Sequence, residues 1–281
     1  MALLDSVISG VIYIAGAFVL FLVGKLVYRI VHRRFNLRQE LFEHDNFAVA
    51  LAMTGYYLGL VLAVTGMFTG PSAGLVDDLI DLGVYGLLAI VLLNVSVVIN
   101  DKVILRGFSN EKEILVDQNA GTGVIEGANS VAVGLIIAGA LSGTGSLWTA
   151  LAFWGFGQLA LVGASLLYAR VLPYRLHAEI ERDNVAVGVA FAGLLVGLGN
   201  VVRFAVAGDF VSWPVSLGTA LVYTLVGAAL FPVVRLVTDW LLMPGVTLEG
   251  ELVRQAKPNV GAGLLEAFSY VAASFLIGAA L

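Results

Sequence analysis

Three features of the sequence predict an all-α protein, a polytopic transmembrane bundle of eight helices. They are a deficit of charge, uncharged runs of membrane-crossing length, and positive residues confined to alternate connections. Of 281 residues, 59% are hydrophobic and 12% charged, and the mean hydropathy is +0.96. A soluble domain carries about 25% charged residues, so half the usual solubilising charge is absent. That excludes a cytosolic globular enzyme and a disordered chain. With no cysteine, a disulfide-stapled secreted protein, thiol redox chemistry and a thiolate metal site are excluded as well.

The helices follow from the uncharged runs, since one helix needs ~20 apolar residues to cross ~30 Å of hydrocarbon. The first is expected at 6–28, where 19 uncharged residues separate Asp5 from Lys25. No Lys or Arg precedes it and no small-residue cleavage site follows, so it does not read as a cleavable leader. The second, at 46–68, comes from a 31-residue uncharged run ended by Gly70-Pro71-Ser72-Ala73-Gly74. The third, at 80–100, fills the space between Asp81 and Asp101. The fourth and fifth, at 119–141 and 148–169, share a 43-residue uncharged run broken by the turn-forming Ser142-Gly143-Thr144-Gly145-Ser146. The sixth is expected at 183–206, and the seventh at 212–237, where 25 uncharged residues run from Asp209 to Arg235. The eighth, at 259–281, holds a single charge, Glu266.

Fourteen of the fifteen Lys and Arg fall in the connections after the odd-numbered helices: Lys25 to Arg38, Lys102 to Lys112, Arg170 to Arg182, and Arg235 to Lys257. By the positive-inside bias this side is the cytoplasm, and both termini face outward from a bacterial plasma (inner) membrane. Arg203, the exception, is expected to snorkel to the outer headgroups, with pairing to Asp209 or to the Asp77, Asp78 and Asp81 cluster as the alternative.

The chain also repeats itself. Asp45-Asn46-Phe47-Ala48-Val49 recurs as Asp183-Asn184-Val185-Ala186-Val187 at an offset of 138. The same offset aligns Asp101, Gly107, Glu111 and Glu113 with Asp239, Gly245, Glu249 and Glu251. At an offset of 140, Asn119-x-Gly121-x-Gly123-x-x-Glu126 matches Asn259-x-Gly261-x-Gly263-x-x-Glu266. Apolar composition aligns Ala, Val and Leu by chance, but not Asp, Asn and Glu. The expected units are residues 1–143 and 144–281, each of four helices. An even number makes the two repeats parallel, related by a pseudo-twofold along the membrane normal. The chain is then a pseudo-dimeric monomer or part of a higher homo-oligomer.

These three motifs resemble domain-of-unknown-function family 350, the YjfL-type bacterial inner-membrane proteins, in two tandem copies. The resemblance implies a polytopic plasma-membrane protein and, in some members, association with membrane-stress proteins. It carries over no reaction, ligand or functional residue.

Ala48, Ala52, Gly55 and Gly59 lie on one face of a helix, and Ala186, Ala190, Gly193 and Gly197 repeat them. Small residues let backbones approach closely in lipid, so these faces read as helix–helix seams, with a permeation path as the sharper alternative. Asp45 and Asp183 are expected as helix N-caps. Asn119, Gly123, Glu126 and Ser130 share a face, as do Asn259, Gly263, Glu266 and Tyr270. Only 15 residues follow Glu266, about 22 Å of helix, so its carboxyl is expected within or at the edge of the hydrocarbon, and Glu126 likewise. An intramembrane carboxyl is costly unless protonated, paired or facing water. Glu126 and Glu266 are thus expected either to line a polar cavity binding a proton or cation, or to bond a neighbouring helix or snorkel.

His32, His44 and His177 have no metal-ligand spacing, so no metal site is expected. No nucleotide-binding glycine loop and no Ser/His/Asp arrangement is present, so neither a cofactor nor an enzyme is expected. The expected partners are the lipid bilayer, a proton or small cation, and a cytoplasmic protein, with no nucleic acid. Two functions follow. One is a small channel or proton/cation-coupled carrier using the duplicated Asn/Glu helix. The other is a membrane scaffold recruiting cytoplasmic stress or remodelling proteins through its charged connections.

Overall fold

The computed structural model of the chain describes residues 2–33, 36–69, 72, 74–105 and 109–280, with the side chains of residues 2–6 and Asn100 outside the description. Arg34, Arg106 and Gly107, and Gly70, Pro71 and Ala73 of the expected turn, lie outside the described residues.

Among the described residues eight helices are long and apolar enough to cross a membrane. The protein is an all-α multi-pass membrane protein. Four long helices are peripheral: α1 (Ala2–Val31), α4 (Leu75–Val103), α7 (Leu147–Val171) and α10 (Trp213–Leu242). Four shorter ones of 19 to 22 residues form the centre: α3 (Phe47–Thr65), α6 (Ala120–Ala140), α9 (Val185–Val206) and α12 (Val260–Ala280). Their length matches the hydrocarbon thickness at 1.5 Å per residue.

The central helices stand in a row, α3 on α6, α6 on α9, and α9 on α12. They run in the same direction, because the touching residues rise together along each pair. Gly55 meets Gly127 and Gly66 meets Ala138; Gly188 meets Gly121 and Gly199 meets Ala132; Gly193 meets Ala267 and Gly278 meets Phe204. A Cβ on Gly55 would stand 2.1 Å from the Cα of Gly127, and one on Gly134 would stand 2.1 Å from the carbonyl oxygen of Gly59. No side chain fits there. In lipid, helices gain nothing by hiding apolar surface from one another, so backbone approach through small residues supplies the packing.

Each connection at the basic end contains a six-residue helix: α2 (Leu37–Phe42), α5 (Asn110–Leu115), α8 (Leu176–Glu181) and α11 (Leu248–Val253). The chain is thereby four successive units of outer helix, short helix and inner helix. The twofold repeat seen in sequence is a pair of these pairs.

The caps also differ from expectation. Asp45 and Asp183 do not cap α3 and α9; they sit at φ 51° and 57°, as does Gln118 at 50°. In the first three units these residues follow the short helix in the left-handed conformation, which Asp tolerates better than most side chains. The next residue is the cap. Asn46, Asn119, Asn184 and Asn259 accept from the backbone N–H three residues on, at 2.9–3.2 Å. Arg235 lies inside α10, within the span expected for the seventh helix.

Candidate functional site

The four asparagines organise the basic end. Each backbone N–H bonds the carbonyl of a glutamate in its own short helix: Glu40, Glu113, Glu179 and Glu251. Each Nδ2 donates to the carboxylate of that same glutamate, at 2.8–3.1 Å. Three of them also reach the next unit. Asn46 donates to the Ile114 carbonyl at 2.9 Å, Asn119 to Ile180 at 2.7 Å, and Asn184 to Leu252 at 2.8 Å. Asn119 therefore spends its amide on the framework. Glu113 is itself buried.

Two turns beyond Asn119, Glu126 borders a cavity of about 270 Å³ between α1, α3, α4, α5 and α6. Asp101 of α4, Asn110 and Glu111 of α5, and Tyr28, His32 and Ala52 share its wall. Asp101 Oδ1 and both amide atoms of Asn110 are buried without a hydrogen-bond partner among the described residues. No ion pair to Glu126 or Asp101 occurs among the described residues. The His32 imidazole is held below its ordinary pKa by burial, which disfavours its charged form. Three carboxyl groups, those of Asp101, Glu111 and Glu126, thus share one small polar space.

The second half treats the equivalent residues differently. Glu266 is 1% exposed and paired with Arg235 of α10. The Tyr270 hydroxyl donates to Glu266 Oε1 at 2.7 Å, and the Tyr168 hydroxyl bonds that of Tyr270. The Arg235 guanidinium also lies 5.9 Å from the ring centre of Tyr174. Asp239, aligned with Asp101, accepts the Leu248 backbone N–H at 2.6 Å. Glu126 and Glu266 accordingly do not form one symmetric pair: the first borders a cavity and the second is sealed in a salt bridge.

The small-residue faces lie where close packing needs them. Ala48, Gly55 and Gly59 meet Gly123, Gly127 and Ser130 of α6, while Ala52 reaches the cavity wall. Ala186, Gly193 and Gly197 meet Gly263, Ala267 and Tyr270 of α12, and Ala190 is buried. Arg203 partners polar and aromatic groups of its own helix. It donates to Asn200 Oδ1 at 3.2 Å and lies over the Phe204 ring, while Asn200 donates to Ser274. Asp209 instead accepts from the Thr144 backbone and hydroxyl, both at 2.8 Å, and these bonds hold its carboxyl below the usual range.

Asp101, Tyr28, Asn110 and Arg235 were not singled out from the sequence. Asp101 left a signal, its alignment with Asp239. Arg235 left a weaker one, an uncharged run of 25 residues, longer than one crossing needs. A second, larger cavity of about 870 Å³ opens at the opposite end, where Tyr13, Asp78, Tyr85, Trp148, Phe210 and Trp213 contribute to its wall.

The sequence matches the family described as Domain of Unknown Function (DUF350) twice, over residues 2–141 and 143–281. It is 25% identical over 249 residues to a UPF0719 transmembrane protein of Aquifex aeolicus (strain VF5), covering 87% of this chain and 89% of that protein. No solved structure matches.

Proposed function

The chain belongs to the DUF350 family, in two tandem copies, and from its own residues we propose that it is a proton- or small-cation-binding membrane protein, a small channel or coupled carrier, with its ion site in the first half. The observation that carries this reading is the pair Asp101 and Glu126 on one cavity wall, neither in an ion pair among the described residues, set against Glu266, which pairs with Arg235. A carboxyl at membrane depth persists at low cost when it is protonated, paired or hydrated. Glu266 uses pairing. Glu126, bordering a cavity, is left with protonation, hydration or a bound cation, and exchange among these is what proton or cation coupling requires.

The positive-inside bias supports placing this cavity on the cytoplasmic side of a bacterial inner membrane. The scaffold reading draws less support. Glu40, Glu113, Glu179 and Glu251 bond the inner-helix caps, so fewer acids of the connections are available to a soluble partner.

The test is flux through purified protein in liposomes, read with a pH-sensitive dye and with a monovalent-cation indicator. Glu126→Gln combined with Asp101→Asn is expected to abolish the proton or cation signal. Flux equal to that of the unaltered protein would remove this site from the mechanism, and absence of any flux above empty liposomes would remove transport altogether.

A further inference from the structure

The row of inner helices is built by one repeated step, and the step stops at both ends with its parts unused. At each internal step an inner-helix asparagine donates to the carbonyl of the fifth residue in the next short helix: Ile114, Ile180 or Leu252. Asn259 has no such acceptor among the described residues and is exposed, whereas Asn46, Asn119 and Asn184 are 1%, 1% and 4% exposed. The fifth residue of α2 is Leu41, and no described side chain donates to its carbonyl. Helix α2 has no buried residue, while α5, α8 and α11 each bury at least two.

The peripheral helices stop in the same way. α4 packs on both α3 and α6, α7 on both α6 and α9, and α10 on both α9 and α12. α1 has α3 on one side and no preceding inner helix on the other, leaving Val11, Ile14 and Phe18 exposed.

The two free edges are the two halves of an interface the chain already contains. In the α6–α9 seam, Gly121, Ala132 and Gly139 meet Gly188, Gly199 and Arg203. Their counterparts on α12 are Gly261, Ala272 and Ala279, all small, and those on α3 are Ala50, Val61 and Thr65; none of the six is buried.

We propose that the partner at these edges is a second copy of this chain, docked head to tail. Its α3 lies against α12, its α1 covers the junction from outside, and its Leu41 carbonyl accepts from Asn259. The contact joins two different surfaces, so it propagates into an open series or closes into a ring. Phe268 and Phe275 flank the seam where α6 has Ala128 and Leu135. The junction between copies is therefore wider than the internal seams and comes apart more readily.

Because the chain has no cysteine, the test is direct. Ala272→Cys and Val61→Cys are introduced singly and together into the full chain, and membranes are treated with a membrane-permeant oxidant. The double variant is expected to give a ladder of dimer and larger species, or one closed oligomer, while each single variant stays monomeric. Adding Asn259→Ala to the double variant is expected to lower the crosslinked fraction at least threefold. A purely monomeric double variant, or single variants that crosslink as fully as the double, would overturn the proposal. A crosslinked fraction unaffected by Asn259→Ala would overturn the hydrogen-bonded register. Folding of each variant is checked by monodisperse elution in detergent, and non-dissociated mass in lipid nanodiscs gives the second, cysteine-independent readout.

Discussion

Arg235 of α10 closes onto Glu266 of α12, whereas at the aligned position of α4 the first half carries Val97. The two halves thus differ in that one glutamate is sealed against a guanidinium and the other borders a cavity. Removing Arg235 as Arg235→Met is expected to destabilise the protein by about 3–5 kcal/mol, because the Glu266 charge is left buried without its partner. The double variant Arg235→Met with Glu266→Leu is expected to recover most of that loss. Thermal unfolding in detergent measures both, and a double variant no better than the single would show that the pair itself contributes the stability.

The asparagine caps are predicted to be unequal. Asn119→Ala removes a buried cap and two buried donor bonds, with the cap alone worth about 1–2 kcal/mol. Asn259→Ala removes a cap whose amide is exposed and has one acceptor fewer. The first is expected to lower the unfolding temperature of the detergent-solubilised protein by clearly more than the second. Equal effects would count against the relay between units as a source of stability.

Glycine substitutions are expected to separate by position. Gly127→Val places a side chain against Leu51 and Gly55, so α3 and α6 must part, and folded protein should be lost from the membrane fraction. Gly163→Ala and Gly218→Ala meet nothing within 4 Å and sit in helices. Each is expected to be neutral or to stabilise by up to about 1 kcal/mol. Expression level and size-exclusion profile distinguish the two classes.

His32 gives a pH signature. Burial lowers its pKa in the folded protein, so between that value and the ordinary ~6.5 the unfolded chain binds more protons. Stability from this residue is complete above pH ~6.5 and is lost as the pH falls through the folded value. His32→Gln is expected to flatten the slope of unfolding temperature against pH below 6.5. An unchanged slope would assign the acid sensitivity to other groups.

The elements differ in how far their residues disclosed them. The eight crossing helices were legible because hydrocarbon excludes charge over a fixed thickness, and the chain records that thickness as uncharged runs. The family and its duplication were legible through polar residues that apolar drift does not reproduce. The six-residue helices were not, since six residues carry too little periodicity and their order comes from the asparagines that cap the following helix. Asp45 and Asp183 misled as caps because Asp favours caps and left-handed turns alike.

Sequence by itself determined that this chain crosses a membrane eight times, that it is doubled, and that Glu126 and Glu266 occupy matching places. Tertiary structure alone decided that the two glutamates have different chemistry. Which charge meets which depends on how α10 turns Arg235 toward α12 and how α4 turns Asp101 toward α6, and helix rotation is set by close packing at glycines scattered over the whole chain. It alone decided, too, that the doubling is a row of four units joined at three steps, because those steps are made by hydrogen bonds between residues more than sixty positions apart.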